Sequence, residues 1–542
     1  MDVKGGGKTL RNPYSKKKSK RSKTFFVVLF VLSALALLLL SCFVTLLHHA
    51  YHLPHNADSV VDTSISSSII LDSSNDGSGN NASATTATKT KAKATATIKA
   101  KAKANDEGSP PVIAYAISLT SCSATPTLVD GAAMLGHSIH LNSVRNTNTA
   151  TGKPPSGYDY KLYALFHTSI IEEDSNSKAS GNVDDNECAS ILQKLGYEVV
   201  VVDIPVPLDE IQNDFLRERL PQNGCCGEKE FIKLWAYTLD DHPFVVHLDL
   251  DTIILRPMDE IFDFGLHGKP ITTSTKFVFD TPIDGSDNNK GIENEEAKKD
   301  VIMWDKEEQS SGHNWSTINA FFTRDYNMRP AGKRPVGVQG GFLILRPSKQ
   351  IFESFQSIIR EGNFESQKGW GGKGYQFYGA MTFQGIIPYF YDIIQPNTSI
   401  ELNRCLYNTM ADNPRDKRTV NNVVSGKCRD GRNDCEDCRE RDIQDVRTAH
   451  FTLCQKPWQC LPHKSDVLQQ RLCRKLFGEW YKVRADLELS WEGKSLYQEE
   501  KKKNDGEKVV VGDGEYDSGH FRGFCTSTGQ KGYIPMKLPD HL

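Results

Sequence analysis

Two aspartates one residue apart, Asp249 and Asp251, end an apolar segment that begins at Phe244. This segment is short, partly β-branched and bounded by Pro243 and Pro257, which predicts a buried strand. Alternate residues of a strand share a side, so both carboxylates can point at one location just past the strand. Hard oxygen ligands of this kind suit Mg²⁺ or Mn²⁺, and such a cation can bridge a diphosphate. The alternative is that the D-x-D tripeptide forms an ordinary turn.

The strand that carries these aspartates must belong to a sheet whose carboxyl edge is open to ligands. Strand and helix patterns alternate along the chain, which predicts an α/β fold with a Rossmann-like, mainly parallel mixed sheet and helices on both faces. The other predicted strands are 112–119, 160–166, 199–204 and 340–347, and the predicted helices are 130–141, 188–195, 230–239 and 351–360. Residues 384–392 fit either a helix or a strand.

A basic tail at residues 1–24 precedes an uninterrupted apolar segment at residues 25–47. Spanning a bilayer takes about 20 apolar residues, whereas a cleaved signal peptide uses only about 7–15. Basic flanks stay in the cytoplasm, so we expect a type II signal-anchor, a single transmembrane helix with the bulk of the chain in the lumen. The absence of a KDEL-type ending favours the Golgi membrane, with the ER or the plasma membrane as alternatives. Sequons at Asn81, Asn314 and Asn397 are usable only on that luminal side.

Composition divides the luminal part into three regions. Residues 48–111 are rich in Ser, Thr, Asn and Ala, which predicts a disordered stem. Residues 112–485 form the predicted folded domain, in which 265–334 are a polar insertion, either a surface insertion or a mobile lid. Residues 486–542 read as a polar tail. A net charge of −3 argues against nucleic acid as a partner of the whole protein.

Thirteen cysteines are present, and setting aside Cys42 inside the apolar segment leaves an even twelve. An even number in an oxidising lumen predicts disulfides, concentrated in a cysteine-rich part at residues 405–473. Half of a zinc site at Cys435 and Cys438 is the alternative. We expect the neighbouring Cys225 and Cys226 to bridge to different partners. The connectivity does not follow from the spacing.

Four blocks follow one another along the sequence: Phe231-Ile-Lys-Leu-Trp235, Leu248-Asp-Leu-Asp-Thr252, Gly337-Val-Gln-Gly-Gly-Phe342 and His450-Phe-Thr-Leu-Cys-Gln-Lys-Pro-Trp458. They resemble, in turn, the F-x-K-L-x-x-W helix, the metal motif, the N-S-G segment and the H-F-x-G-x-x-K-P-W loop of the glycogenin-like retaining glycosyltransferases. The tryptophan falls early in the first block, and Leu453 replaces the glycine of the last. The resemblance runs from about Val112 to Trp480 and implies a GT-A fold with a sugar-nucleotide donor.

The resemblance also implies the ligands of a metal ion, namely Asp249, Asp251 and His450. A nitrogen ligand beside carboxylates favours Mn²⁺, with Mg²⁺ as the alternative. Lys233 and Lys456 then supply positive charge to the phosphates. A packed core histidine and solvated lysines are the alternatives for the same residues.

Further donor-binding residues are implied at three places along the chain. They are Leu119, Thr120 and Ser121 for the uracil and ribose, Leu250 within the metal motif, and Gln339, Gly340 and Gly341 for the sugar. The last three stand where the family has N-S-G, which leaves the identity of the sugar open. Residues 401–408 resemble a segment on the acceptor side, with a loop that packs the core as the equal alternative.

Catalysis is assigned to Asp251 and Gln384. The family's Asp-Gln pair near the anomeric carbon appears here as Phe383-Gln384, so an apolar ring replaces the carboxylate. If that carboxylate is a nucleophile, this chain lacks it, and retention proceeds instead by front-face attack in which the leaving phosphate takes the acceptor proton.

The sequence therefore predicts a Golgi-type, metal-dependent, retaining transfer of a hexose-type sugar from a UDP-sugar to a luminal glycan, glycoprotein or glycolipid. A catalytically silent relative that binds nucleotide or glycan as a scaffold is the alternative that Phe383 and Gly340 motivate. A glycoside hydrolase is a third hypothesis, because two carboxylates about 5–10 Å apart can flank a sugar. A hydrolase has no use for lysines directed at phosphate.

Overall fold

A seven-stranded sheet forms the centre of the computed structural model, in the order β10-β6-β7-β4-β1-β2-β3. The strands are β1 Val112–Leu119, β2 Asp159–His167, β3 Tyr197–Val202, β4 Val245–Leu248, β5 Thr252–Ile254, β6 Ala320–Arg324, β7 Val338–Leu345, β8 Phe364–Glu365, β9 Gly369–Trp370, β10 Ser399–Glu401 and β11 Thr448–His450. The helices are α1 Thr127–Leu141, α2 Ser169–Glu172, α3 Asp185–Lys194, α4 Asp214–Arg219, α5 Asp259–His267, α6 Lys349–Glu361, α7 Phe383–Tyr389 and α8 Leu468–Glu492. A 3₁₀ helix spans Gly227–Thr238.

The structure describes residues 109–122, 127–149, 152–172, 185–269, 315–417, 424–464, 466–492 and 524–542. Within these ranges, no helix combines the length and the apolar character that crossing a bilayer requires. The predicted basic tail, the predicted anchor at residues 25–47 and nearly all of the predicted stem lie outside them.

Parallel pairing dominates the sheet, as the alternation of strands and helices predicts. β3, β2, β1 and β4 pair in parallel, and β10 pairs in parallel with β6. β7 is reversed and runs antiparallel to both β4 and β6. The mainly parallel mixed sheet is therefore confirmed, and the six strands of this sheet other than β7 end at the same edge.

Helices cover both faces of the sheet, because the strands alternate buried side chains between two cores. On β1, Ala114 and Ala116 face one core with the 3₁₀ helix, α6 and α7. Ile113 and Ile117 face the other core with α1, α3 and α5. The helix predicted at residues 230–239 is present but is wound as a 3₁₀ helix from Gly227, which aligns residues three apart.

The predicted insertion at residues 265–334 contains a strand of the main sheet. β6 lies between β10 and β7, and all five of its residues are buried. Its Arg324 is buried against the carboxylates of Asp392 (2.7 Å) and Glu401 (3.2 Å). Because β6 is short and contains this charged residue, its sequence lacks the alternation of apolar and polar residues that would predict a strand. Residues 270–314 of the insertion lie outside the described residues.

A third core joins α1 to the cysteine-rich part and to the chain's last residues. Residues 524–542, which the composition places in a polar tail, pack here through the Cys460–Cys525 disulfide. Asp130 of α1 accepts hydrogen bonds from Tyr533 Oη at 3.0 Å and Met536 N at 2.9 Å. Buried apolar side chains, including Phe524 and Met536, explain why this segment packs despite its polar average.

Ten cysteines pair into five disulfides: Cys122–Cys188, Cys405–Cys438, Cys428–Cys435, Cys454–Cys473 and Cys460–Cys525. The disulfide expectation is confirmed, and Cys435 and Cys438 pair with different cysteines rather than forming half of a zinc site. The prediction that Cys225 and Cys226 bridge to different partners is wrong, because both are free. Their sulfurs face each other instead, 2.7 Å apart.

Candidate functional site

The two aspartates lie in a tight turn at the carboxyl end of β4. Asp249 N donates to Gly341 O at 3.1 Å, which ties the turn to β7. Thr252 N donates to Asp249 O at 3.1 Å, which closes the turn and starts β5. Three residues thus separate the main sheet from β5, and both carboxylates are held at the edge where parallel strands end.

β11 brings His450 to this turn from two hundred residues further along the chain. It pairs antiparallel with β5 so that His450 lies opposite Thr252. Phe451 N donates to Asp251 O at 2.9 Å, and His450 N donates to Thr409 O at 3.0 Å. The backbone therefore fixes the imidazole on both sides.

The imidazole and the two carboxylates converge. His450 Nε2 lies 3.3 Å from Asp251 Oδ1 and 4.0 Å from Asp249 Oδ2. One ligand atom from each of the three residues falls within 4.8 Å of the others. The packed-histidine alternative does not account for this, because the ring faces two carboxylates rather than apolar neighbours alone.

A lysine neutralises the outer oxygen of each carboxylate. Lys233 Nζ lies 3.0 Å from Asp249 Oδ1 and 3.1 Å from Gly340 O. Lys456 Nζ forms an ion pair with Asp251 Oδ2. The inner oxygens, Asp249 Oδ2 and Asp251 Oδ1, therefore both face His450.

These contacts shift the titration of the site. Burial raises the pKa of Asp251, but the His450 ring and the Lys456 ammonium outweigh burial and hold that pKa below its usual range. Burial lowers the pKa of His450, and the two carboxylates more than offset it, so the pKa is raised. Burial likewise lowers the pKa of Lys233, and Asp249 with Glu230 raises it above its ordinary value. Asp251 is thus kept ionised and Lys233 is kept charged.

The donor set fits a divalent cation. Two carboxylate oxygens and one imidazole nitrogen face a common point, and His450 Nδ1 is buried with no hydrogen-bond partner among the described residues. The absence of a side chain at Gly341 provides the space for these ligands, since a Cβ there would lie 2.4 Å from His450 Cε1 and 2.8 Å from Asp249 Oδ2. Any residue larger than glycine would push two of the three ligands.

The other predicted site residues surround this point to different degrees. Gln384 Oε1 is buried without a hydrogen-bond partner among the described residues, and its Cγ lies 3.1 Å from where a Cβ of Gly340 would be. Phe383 is fully buried, with its ring 5.7 Å below the Lys233 ammonium. Gln339 Oε1 accepts from Gly341 N at 2.6 Å, so this side chain shapes β7 rather than pointing freely outward.

The end of β1 and the middle of the turn supply the remaining predicted residues. Leu119 is buried, Thr120 is half-buried and Ser121 is exposed. The carbonyl oxygen of Leu250 lies 3.0 Å from where a Cβ of Gly131 would be, which packs the turn against α1.

Two residues near the site, His247 and Thr452, were not predicted from the sequence. His247 lies in β4 two residues before Asp249, and its Nε2 is 2.8 Å from Ser118 Oγ. Burial, with Lys233 second, lowers the pKa of His247 to about 3, so this ring is neutral and ties β4 to β1. Thr452 Oγ1 lies 2.9 Å from His450 Nε2. His247 lies two residues before Asp249, and Thr452 lies two residues after His450. This spacing is the sequence signal that could have pointed to both residues.

No family model and no curated protein matches this sequence. Among solved structures, the chain is similar to mouse xyloside xylosyltransferase 1 in its apo form, with a TM-score of 0.31 and 11% identity over 63% of this chain and 98% of that one. It is similar to the galactosyltransferase LgtC in complex with donor and acceptor sugar analogs, with a TM-score of 0.29 and 11% identity over 68% and 94% of the two chains. It is also similar to the glycosyltransferase GlyE of Streptococcus pneumoniae TIGR4, with a TM-score of 0.31 and 10% identity over 71% and 64%. The function is therefore inferred from the site's own residues.

Proposed function

We propose that this protein is a metal-dependent glycosyltransferase that moves a hexose-type sugar from a UDP-sugar to an acceptor with retention of configuration. The observation that carries the proposal is the meeting of Asp249, Asp251 and His450 within 4.8 Å, at the sheet edge where α/β proteins bind ligands. The four blocks that resemble glycogenin-like enzymes support it, because each contributes a residue to this edge.

A sugar nucleotide leaves as a diphosphate, so negative charge grows on the leaving oxygen. A divalent cation held by Asp249, Asp251 and His450 would neutralise that charge when bound. The nitrogen ligand favours Mn²⁺ over Mg²⁺.

The chain's own groups act around that charge. Lys233 and Lys456 hold ammonium groups beside the carboxylates and can turn toward a diphosphate as point charges. Gly340 and Gly341 present backbone without side chains, which allows a sugar to approach closely. The Gln384 amide directly follows the position of the missing carboxylate in the sequence, and its Oε1 is buried without a hydrogen-bond partner in the described part of the chain. Front-face attack needs only such a dipole, because the leaving phosphate accepts the acceptor's proton.

The test is a donor-hydrolysis and transfer screen of the purified full-length protein across UDP- and GDP-sugars with Mn²⁺. EDTA is expected to abolish turnover and Mn²⁺ to restore it. Asp251→Ala should lower kcat/KM by at least about 100-fold, since it removes one ligand and the partner of Lys456. Glu198→Ala, at an exposed ion pair with Lys161, is the matched control and should leave activity unchanged. Unchanged turnover in Asp251→Ala would refute the proposal.

The second candidate is a silent relative that binds a nucleotide without turnover. Phe383 favours it, because a fully buried ring occupies the position of the family's carboxylate. Calorimetry with UDP and Mn²⁺ beside the turnover assay separates the two, since binding without turnover in every donor supports the scaffold. A hydrolase is disfavoured, because one oxygen from each of Asp249 and Asp251 lies within 4.8 Å of the other, whereas two carboxylates that flank a sugar stand about 5–10 Å apart.

The compartment and acceptor are part of the proposal. The apolar segment at residues 25–47 and its basic flank support a single-pass type II protein of the Golgi membrane, and five disulfides suit an oxidising lumen. The acceptor would then be a luminal glycan, protein or lipid. Protease protection of a tagged carboxyl terminus in sealed microsomes tests the topology.

A further inference from the structure

A second cluster of reactive side chains lies beside the proposed donor site. Cys225 and Cys226 precede the 3₁₀ helix, and Glu230 lies within it. The two sulfurs are 2.7 Å apart, and Cys225 Sγ donates to Glu230 Oε1 at 2.6 Å. Atoms that are not bonded ordinarily stay about 3.5–4 Å apart. The loop therefore holds the two sulfurs nearer to a bond than to an ordinary contact.

This cluster touches two elements of the donor site. The Thr120 side chain helps to lower the pKa of the Cys226 thiol, so the loop lies beside the end of β1. Glu230 lies one 3₁₀ turn before Lys233, and its charge acts on the Lys233 ammonium. Glu230 is 4% exposed, and its Oε2 has no hydrogen-bond partner among the described residues. Among the described residues, the Cys225 thiol thus donates the hydrogen bond that the Glu230 carboxylate accepts.

We propose that Cys225 and Cys226 form a reversible vicinal disulfide, closed by a disulfide oxidant such as oxidised glutathione, and that closing it weakens donor binding. The coupling to the donor rests on the proposed function, whereas the disulfide itself does not.

Closure is a thiol–disulfide exchange in two steps. The Cys226 thiolate attacks one sulfur of oxidised glutathione, whose S–S bond breaks and releases one glutathione thiolate. Cys225 then loses its proton, attacks the Cys226 sulfur and expels the second glutathione, while Glu230 Oε1 is placed to receive that proton. One S–S bond is lost and one is formed, two thiols are oxidised, and two glutathione thiols carry the two protons.

The electrostatics of the pair support this order of attack. The contact with the Cys225 sulfur outweighs burial and lowers the pKa of the Cys226 thiol to about 7, which favours the thiolate that exchange requires. The same contact, with burial second, raises the pKa of Cys225. Cys226, the attacking thiol, is half-buried beside the exposed Cys225, so the oxidant can reach it from solvent.

A soft metal ion is the competing occupant of two thiols and a carboxylate. Two sulfurs bound tetrahedrally to one Zn²⁺, at about 2.3 Å each, lie roughly 3.8 Å apart. The distance between the two sulfurs would have to increase by about 1 Å to bind that ion. Forming a disulfide requires a smaller change, a decrease of roughly 0.7 Å. The geometry favours the disulfide.

Closing the disulfide removes the thiol hydrogen that Glu230 accepts. The buried carboxylate then depends on the Lys233 ammonium, one turn away, which otherwise pairs with Asp249. Drawing this ammonium from the metal and phosphate side should weaken UDP binding in the presence of Mn²⁺ by about fivefold to tenfold, in the range of ordinary coupling between sites.

The experiment uses the full-length protein in EDTA, equilibrated against mixtures of reduced and oxidised glutathione, then alkylated and digested with trypsin. Cleavage after Arg219 and Lys229 leaves both cysteines on the peptide Leu220–Lys229, which holds no other cysteine. We expect two alkyl groups under reducing conditions and none under oxidising ones, in a reversible manner. The five disulfides of the structure should stay unalkylated throughout and serve as the internal control. Two alkyl groups at every ratio, or a stable glutathione adduct on one cysteine, would overturn the disulfide.

UDP affinity with Mn²⁺ is measured on intact, undigested portions of the same glutathione mixtures, after EDTA is exchanged for Mn²⁺. Cys225→Ser and Cys226→Ser cannot close a disulfide, so their UDP affinity should not depend on the glutathione ratio. Equal affinity of the open and closed wild-type protein would overturn the coupling. Absence of UDP binding in both states, with normal closure, would refute the proposed function and the coupling with it. A peptide that never closes refutes the disulfide whatever the protein binds.

Discussion

Gly341→Ala tests the proposed metal site without altering any ligand or charge. The new Cβ would lie 2.4 Å from His450 Cε1, 2.8 Å from Asp249 Oδ2 and 2.9 Å from His450 Nδ1. An unstrained contact needs roughly 3.4–3.5 Å, so the imidazole must move by about 1 Å. His450 is held by the β11–β5 pairing and is 3% exposed, so the ring has little room to give way.

A displacement of this size should matter more to function than to folding. Overpacking a buried site costs about 1–3 kcal/mol of the free energy of unfolding, which leaves the protein folded at 25 °C. Changes that shift a metal ligand typically cost about 10–100-fold in metal affinity. A reacting geometry that is wrong by about 1 Å can cost roughly 100-fold in rate. We therefore expect Mn²⁺ affinity to fall by 10–100-fold, in the range just cited, and kcat/KM by at least as much.

Calorimetry with Mn²⁺, donor-hydrolysis kinetics and thermal unfolding measure these quantities on one preparation. Gly340→Ala is the matched control on the same strand, because its Cβ would meet the flexible Gln384 Cγ at 3.1 Å and no metal ligand. This control should bind Mn²⁺ like the wild type. If Gly341→Ala is folded and binds Mn²⁺ with wild-type affinity, His450 and Asp249 do not hold the ion together.

Three further outcomes follow from the structure. Lys456→Ala should raise the KM for the donor by about tenfold, because a point charge near the diphosphate is lost, while Lys475→Ala, at an exposed position in α8, should have no effect. Gln384→Ala should lower kcat by about 10–100-fold with little change in KM, since the amide acts at the reacting carbon; an unchanged kcat would remove it from catalysis. Burial, opposed mainly by Arg484, raises the pKa of Asp130 from 3.8 to about 6. Between these two values the folded state holds a proton that the unfolded state releases. The free energy of unfolding should therefore fall as pH rises from about 4 to about 6. Asp130→Asn should remove about 3 kcal/mol of this pH dependence in denaturant titrations, and an equal slope in both proteins would contradict the burial of that charge.

The sequence predicted those parts of the fold that periodicity encodes. β1 was placed to the residue, and the helices α1, α3 and α6 were placed within a few residues, because each is long enough to show its repeat. β5 and β11 have three residues each, and no repeat is visible over that length. The pairing of these two strands is what carries His450 to Asp251. From the sequence, that meeting followed only from the resemblance of the motifs, and not from any local pattern.

Other features depended on contacts between distant residues. β6 was hidden inside a polar insertion, because its buried Arg324 is matched by carboxylates from residues 392 and 401 that the local sequence does not reveal. The pairing of the cysteines depends in the same way on which loops meet in space. Cys225 and Cys226 are both free, and their sulfurs face each other at the loop that leads into the 3₁₀ helix, an arrangement that their adjacent positions in the sequence do not reveal.

The charges at the site explain why a cation and a diphosphate should bind together. Asp249, Asp251, Lys233 and Lys456 sum to zero around His450. Buried ion pairs seldom stabilise a fold more than apolar residues would, so this concentration of charge is better explained by a ligand. The two positive charges of a divalent cation match the two negative charges of the diphosphate of a sugar nucleotide, and either alone would leave a partly buried site with uncompensated charge. UDP and Mn²⁺ are therefore expected to bind cooperatively, and UDP binding as tight in EDTA as in Mn²⁺ would contradict this charge balance.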